Sequence, residues 1–188
     1  MVRLRIENVV AAGKILDDLD FEEVKAKVKE AKSRPRFPGL ILRLERPRST
    51  VLLFRGGKIV ITGLRRTSDV KDAVRELLNI LKKAGLQIEK NIDVRVVNVV
   101  ASADFGVRFN LTALNVALGI ENAEYHPEIF PGLIYRRGRI SFLIFGSGQT
   151  VVVGGESEEE ISRELENFKY VLESSGFFEN GRIHHELN

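Results

Sequence analysis

The chain has 188 residues, 44% of them hydrophobic, with 29 basic and 26 acidic residues, a formal net charge of +3 and no cysteine. This size and apolar content can fill one compact domain or two small joined halves, which excludes wholesale disorder. The lack of cysteine excludes disulfides, thiolate metal sites and cysteine nucleophiles, and charge this evenly balanced does not by itself point to nucleic acid.

Taken in order, Leu4 to Val10 has the β-branched bias of a strand. Asp20-Phe21-Glu22-Glu23 is a capping-box signal, with Val24, Val28 and Ala31 following at helical spacing and Pro35 and Pro38 bounding the helix. Gly39 to Glu45, Thr50 to Arg55 and Lys58 to Thr62 read as a meander with turns at Arg46-Pro47-Arg48 and Gly56-Gly57. Ser68 is expected to cap a helix whose stripe is Val70, Val74, Leu77, Leu78 and Leu81, stopped at Gly85. The same order then returns. Val94 to Val100 is a strand, Asn110 precedes a helix over Leu111 to Leu118, and Leu133 to Arg137, Ile140 to Phe145 and Thr150 to Val153 are strands. Ser157 with Glu160 forms a second capping box for a helix running through Leu165, Phe168 and Leu172 to Gly176.

The words themselves repeat. Arg36-Phe37-Pro38-Gly39-Leu40-Ile41-Leu42-Arg43 returns as Ile129-Phe130-Pro131-Gly132-Leu133-Ile134-Tyr135-Arg136, and Asn8-Val9-Val10-Ala11 as Asn98-Val99-Val100-Ala101. Leu52-Leu53-Phe54-Arg55-Gly56-Gly57 returns as Leu143-Ile144-Phe145-Gly146-Ser147-Gly148. An offset of about 90 residues is too long for a solenoid unit, so residues 1–88 and 89–188 are expected to be two copies of one unit in a pseudo-twofold molecule. Gln87 to Asp93 is too short for a free linker, and one continuous antiparallel sheet with helices on one face is expected. The strands carry apolar residues at both parities. Such a sheet is either buried on both sides or open on one apolar side that meets a partner; burial on both sides needs more helices than the sequence supplies.

At these residues the chain resembles the TATA-binding protein family. Phe130 to Arg136, the Phe-x-Ser-Gly-x-x-Val-x-x-Gly pattern from Phe145 to Gly154, and Arg46-Pro47-Arg48 followed by Thr50 and Leu52-Leu53-Phe54 carry the resemblance. It covers nearly the whole chain, in both repeats. The lack of a long N-terminal extension looks archaeal in style. The resemblance implies an α+β fold in which two pseudo-symmetric repeats form one saddle-shaped antiparallel sheet with helices on the convex face. Its concave face would lie on the minor groove of an AT-rich TATA element, and the family is itself a type case of minor-groove wedging.

The implied wedges are Phe37 with Phe54 and Phe130 with Phe145, flat apolar rings able to replace base stacking at a kink. Asn8 and Asn98 would donate to adenine N3 and thymine O2, with Thr62 adding a hydrogen bond. Val10, Leu52, Val60, Val100, Leu143 and Val151 would form the apolar floor. Arg36, Arg43, Lys58 and Arg136 would face phosphates, with Arg46, Arg48, Arg137 and Arg139 on the hairpin tips and Arg55 beside a wedge; such contacts position a protein without reading sequence. Glu128, in Glu124-Tyr125-His126-Pro127-Glu128, would help hold transcription factor B, and through it RNA polymerase. A weak homodimer without DNA is a further expectation.

The second repeat departs from the pattern. Val153 stands where the family has threonine and Gln149 where it has lysine. Phe130 and Phe145 are 15 positions apart against 17 for Phe37 and Phe54, an even change that preserves the period-two alternation. These departures leave open a second reading, a diverged paralogue acting mainly as a protein-binding regulator with weak or partner-dependent DNA binding.

An enzyme is not expected. Gly56-Gly57-Lys58 lacks the other elements of a phosphate-binding loop, and Gly146-Ser147-Gly148 is a hairpin turn rather than a nucleophile elbow. Glu158, Glu159 and Glu160 complement a helix dipole, and the pair His184 and His185 reads as a frayed terminus rather than a metal site. No cofactor or metal is expected. Without a signal peptide at Met1 to Glu7 or a membrane-length apolar run, the expected location is cytoplasmic and nucleoid-associated, or nuclear in a eukaryotic source.

Overall fold

The computed structural model describes residues 2–88 and 92–178; His184 and His185 lie outside them. The elements are β1 (Arg3–Lys14), α1 (Phe21–Lys27), β2 (Lys32–Ser33), β3 (Gly39–Glu45), β4 (Arg48–Phe54), β5 (Lys58–Leu64), α2 (Asp69–Lys83), β6 (Asp93–Asp104), α3 (Leu111–Leu118), β7 (Ala123–Glu124), β8 (Leu133–Arg137), β9 (Ile140–Ile144), β10 (Gln149–Gly155) and α4 (Glu158–Ser174). The chain divides into two compact units, residues 8–98 and residues 1–7 with 99–188. No helix is long and apolar enough to cross a membrane among the described residues.

In the unit of residues 8–98 the strands lie in the order β2-β3-β4-β5-β1, all antiparallel. Alternation sets the two faces. Val9, Ala11, Leu40, Leu42, Leu44, Val51, Leu53, Ile59 and Ile61 are buried. Their opposite-parity neighbours Asn8, Val10, Ile41, Leu52, Val60 and Thr62 are only partly buried. The buried face takes α2, packed on β3 and β5 through its stripe of Val70, Ala73, Leu77 and Leu81. Asp20 caps α1, its carboxylate accepting from the Glu22 and Glu23 amides at 2.9 and 3.3 Å.

The unit of residues 1–7 and 99–188 repeats this as β6-β10-β9-β8-β7, with α4 on β10 and α3 on β7 and β8. Asn110 caps α3 at Ala113 and Ser157 caps α4 at Glu160, both at 3.1 Å. Its core is aromatic where the other is aliphatic. Tyr135, Phe142 and Phe168 stack with centroids 4.7 to 5.9 Å apart, and Phe105 sets its edge against Phe168. The matching residues of the first repeat are Leu42, Val51, Leu77 and Ile15, all buried.

Three local expectations change. The first helix ends at Lys27, because Val28 is already extended and Lys32–Ser33 is drawn into a strand on β3. Ser68 does not cap α2, since its own backbone is helical and its hydroxyl makes no cap bond. In the α4 box the Glu160 carboxylate accepts from the amide of Glu156, one residue further out than a capping box requires.

Candidate nucleic-acid interface

Antiparallel register builds one strip across the open face of each unit. Ile41 opposes Leu52, Leu52 opposes Val60, and Val60 opposes Ala12. In the other unit Ile134 opposes Leu143, Leu143 opposes Val151, and Val151 opposes Ser102. Val10 and Val100 share these faces by parity on β1 and β6. The strips thus collect all six residues expected to form an apolar floor and add Ile41 and Ile134. Those two sit inside the repeated words, and only the pairing register shows that they lie abreast of Leu52 and Leu143. The short second hairpin keeps this register because it drops one whole rung, Glu45 opposite Arg48.

A phenylalanine pair closes one end of each strip. Phe37 and Phe54 have centroids 5.9 Å apart at 57°, and Phe130 and Phe145 are 5.8 Å apart at 65°. All four rings are partly exposed. Glycine makes room for them: a methyl group on Gly39 would lie 2.9 Å from the Phe37 ring, and one on Gly132 would lie 2.7 Å from the Phe130 ring. Each pair is followed by a tight turn in which the amide of Gly57 or Gly148 donates to the carbonyl of Phe54 or Phe145 at 2.9 Å. Both glycines have positive φ, 68° and 94°, a conformation that favours glycine.

At the other end of the first strip Asn8 is held by three contacts. Its Nδ2 donates to Thr62 Oγ1 at 3.1 Å, its Oδ1 accepts from the Gly63 amide at 2.7 Å, and Thr62 Oγ1 lies 3.3 Å from the same oxygen. The amide plane is thereby fixed, and one of its two N–H groups is not used in these contacts. Asn98 occupies the matching position on β6, and Val153 matches Thr62 without a hydroxyl.

The cations differ sharply between the repeats. Arg36, Arg43, Arg46, Arg48 and Lys58 are exposed and form no ion pair among the described residues; Arg36 takes a positive φ of 65° in the turn that delivers Phe37. Arg55 lies over the Phe21 ring at 4.6 Å. In the second repeat Arg136 is bound to Glu124 at 2.6 Å, Arg137 to Glu164 at 3.2 Å, and Arg139 to Glu156 and Glu160 at 2.6 and 2.7 Å. The Glu156 amide and then Arg139 hold the Glu160 carboxyl below the usual carboxylate range, while the bond to Glu160 raises Arg139. Sequence reading treats these arginines alike with Arg43, Arg46 and Arg48, because their partners are brought to them only by the sheet edge and by α4. Glu128 is exposed, with His126 at 3.8 Å. No cluster of metal-binding side chains occurs among the described residues.

Fold and site define a two-repeat α+β protein in which each repeat carries an open apolar sheet face closed by a phenylalanine pair. The model of the family described as transcription factor TFIID, or TATA-binding protein, matches residues 3–84 and 93–175. A TATA-box-binding protein of Archaeoglobus fulgidus is 42% identical over 177 residues, spanning 93% of this chain and 97% of its own. TATA-box-binding protein E of Halobacterium salinarum is 38% identical over 94% of this chain and 96% of its own. The solved structure of Methanococcus jannaschii TBP superposes with a TM-score of 0.77 at 38% identity, covering 92% of this chain and 99% of that one. The chain belongs to the TATA-binding protein family.

Proposed function

We propose that the chain is a general transcription initiation factor that binds the minor groove of an AT-rich promoter element. The observation that supports this best is the recurrence, in each repeat, of an open apolar strip ended by a partly exposed phenylalanine pair. Branched aliphatic side chains pressed into a minor groove exclude the guanine amino group by shape, and Asn8 and Asn98 supply donors for the acceptors that A·T pairs present there. The four phenylalanines insert at base steps and kink the duplex. Unstacking costs free energy that contact along the strips offsets, and TA steps, the easiest to deform, are preferred. Arg36, Arg43 and Lys58 contact phosphates. Glu128, exposed beside His126, takes part in holding transcription factor B, which brings RNA polymerase; DNA binding then places the protein with the nucleoid. Nothing in the site supports catalysis.

Binding to a TATA duplex and to a GC-substituted duplex across a salt series tests the reading. A clear TATA preference with a falling affinity in salt is expected; equal weak binding to both would overturn it. The neutralised arginines of the second repeat favour a second reading, a regulator that needs a protein partner to hold DNA. That reading predicts TATA preference only when factor B is present.

A further inference from the structure

The two sheet edges carry opposite charges at one register position. Lys32 on β2 opposes Ile41, and Glu124 on β7 opposes Ile134; Ile41 and Ile134 are themselves equivalent, since each opposes the leucine of its strip, Leu52 or Leu143. Two residues further along the hairpin stand Arg43 and Arg136. Beside Lys32, Arg43 forms no ion pair among the described residues; beside Glu124, Arg136 Nη1 lies 2.6 Å from the carboxylate. Both partners remain about half exposed, so the pair is a weak one that an incoming anion can displace.

Resting on the minor-groove reading, we infer that Glu124 acts as an internal phosphate mimic, a positioning residue that occupies Arg136 and makes the first repeat the electrostatic anchor on DNA. Two features beyond this pair support the assignment. Arg137 is likewise committed to Glu164 of α4, and Arg139 to Glu160 of α4 and to Glu156 just before it, whereas Arg36, Arg43, Arg46, Arg48 and Lys58 form no ion pair among the described residues. Gln149 also replaces with a neutral side chain the charge that Lys58 brings. A phosphate that reaches Arg136 must first displace Glu124, so the net gain there is small. Arg43 shares a hollow with Glu30 and Glu45, but among the described residues no carboxylate is bonded to it as Glu124 is to Arg136. The duplex is therefore held chiefly through the phosphates beside the first repeat, and the salt dependence of binding reports that repeat.

The test compares full-length wild-type, Glu124→Gln, Arg43→Ala, Arg136→Ala and Glu124→Gln/Arg136→Ala proteins on one TATA duplex, with a GC-substituted duplex alongside. Glu166→Gln, an equal charge change on an exposed residue of α4, controls for net charge. Glu124→Gln is expected to tighten binding by about two- to fivefold at low salt, the range of an exposed ion pair, and to steepen the log–log salt slope by about one. Arg43→Ala flattens that slope by about one. Arg136→Ala leaves it nearly unchanged in the wild-type background but flattens it by about one when Glu124 is glutamine. The inference is overturned if Arg136→Ala costs as much as Arg43→Ala in the wild type, or if Glu166→Gln reproduces the effect of Glu124→Gln. Loss of TATA preference in the wild type itself would instead remove the minor-groove reading, and this inference with it.

Discussion

The two repeats share one architecture and are stabilised differently. The first has a core that is aliphatic apart from Phe21, under a long hairpin whose arginines form no ion pair among the described residues. The second has an aromatic core under a hairpin one rung shorter, tied to α4 by ion pairs. The contrast is clearest at one pair of positions. Leu44 and Ala73 are buried in the first repeat, and their equivalents in the second are Arg137 and Glu164, bonded at 3.2 Å. At the tip of the shorter hairpin, charge pairing with α4 takes the place of apolar packing. A duplicated fold can thus keep its register and its open face while the covered side and the charge pattern diverge.

Truncating the largest ring sharpens this contrast most. Phe168→Ala should destabilise by about 3–5 kcal/mol and Leu77→Ala by about 2–5 kcal/mol, with the first at the top of its range because Phe168 touches Phe105, Tyr135 and Phe142. Denaturant unfolding measures both; equal modest losses would deny the aromatic cluster its role.

Next in size are the glycines behind the phenylalanine pairs. A methyl group on Gly39 meets the Leu53 carbonyl at 2.7 Å as well as the Phe37 ring, whereas the three atoms nearest to one on Gly132 all belong to the Phe130 and Phe145 rings. Backbone cannot give way as a ring can. Gly39→Ala should therefore cost about 1–3 kcal/mol of stability, and Gly132→Ala less, while still displacing its rings. The reverse order in thermal unfolding would contradict the packing described.

A gain is expected at Thr150. Its hydroxyl is buried without a hydrogen-bond partner among the described residues, and the matching residue of the first repeat is Ile59. Thr150→Val should stabilise by about 1 kcal/mol, read as a rise in the unfolding midpoint; destabilisation would show that the hydroxyl is satisfied.

The smallest effect is a pH effect confined to the second repeat. Glu160 has its folded pKa depressed, first by the Glu156 amide and then by Arg139. Its contribution is present above the ordinary carboxylate value of about 4.3 and is lost as pH falls through the lower folded value. Glu160→Gln should lower stability at neutral pH and lose less than the wild type on acidification. Parallel pH profiles would rule out that linkage.

Much of this was legible in the sequence. The paired words fixed equivalence, and the even difference between 17 and 15 positions correctly implied a preserved alternation, because strand parity depends only on counting. The caps at Asp20, Asn110 and Ser157 were readable from local chemistry. Ser68 was not, because its backbone had already entered the helix. The strand Lys32–Ser33 was hidden because two residues carry no period and exist only by pairing with β3. The split between free and neutralised arginines was equally hidden, since Glu124, Glu156, Glu160 and Glu164 reach their partners through tertiary placement.

The most direct test of the central claim, that each repeat wedges DNA with its phenylalanine pair, is the bend of an end-labelled TATA duplex read by energy transfer. The wild type should bend it. Phe54→Ala and Phe145→Ala should each reduce the bend and weaken binding by about 1–3 kcal/mol, with folding intact. A duplex that stays straight with the wild type, or that bends as much with both variants as with the wild type, would contradict the account.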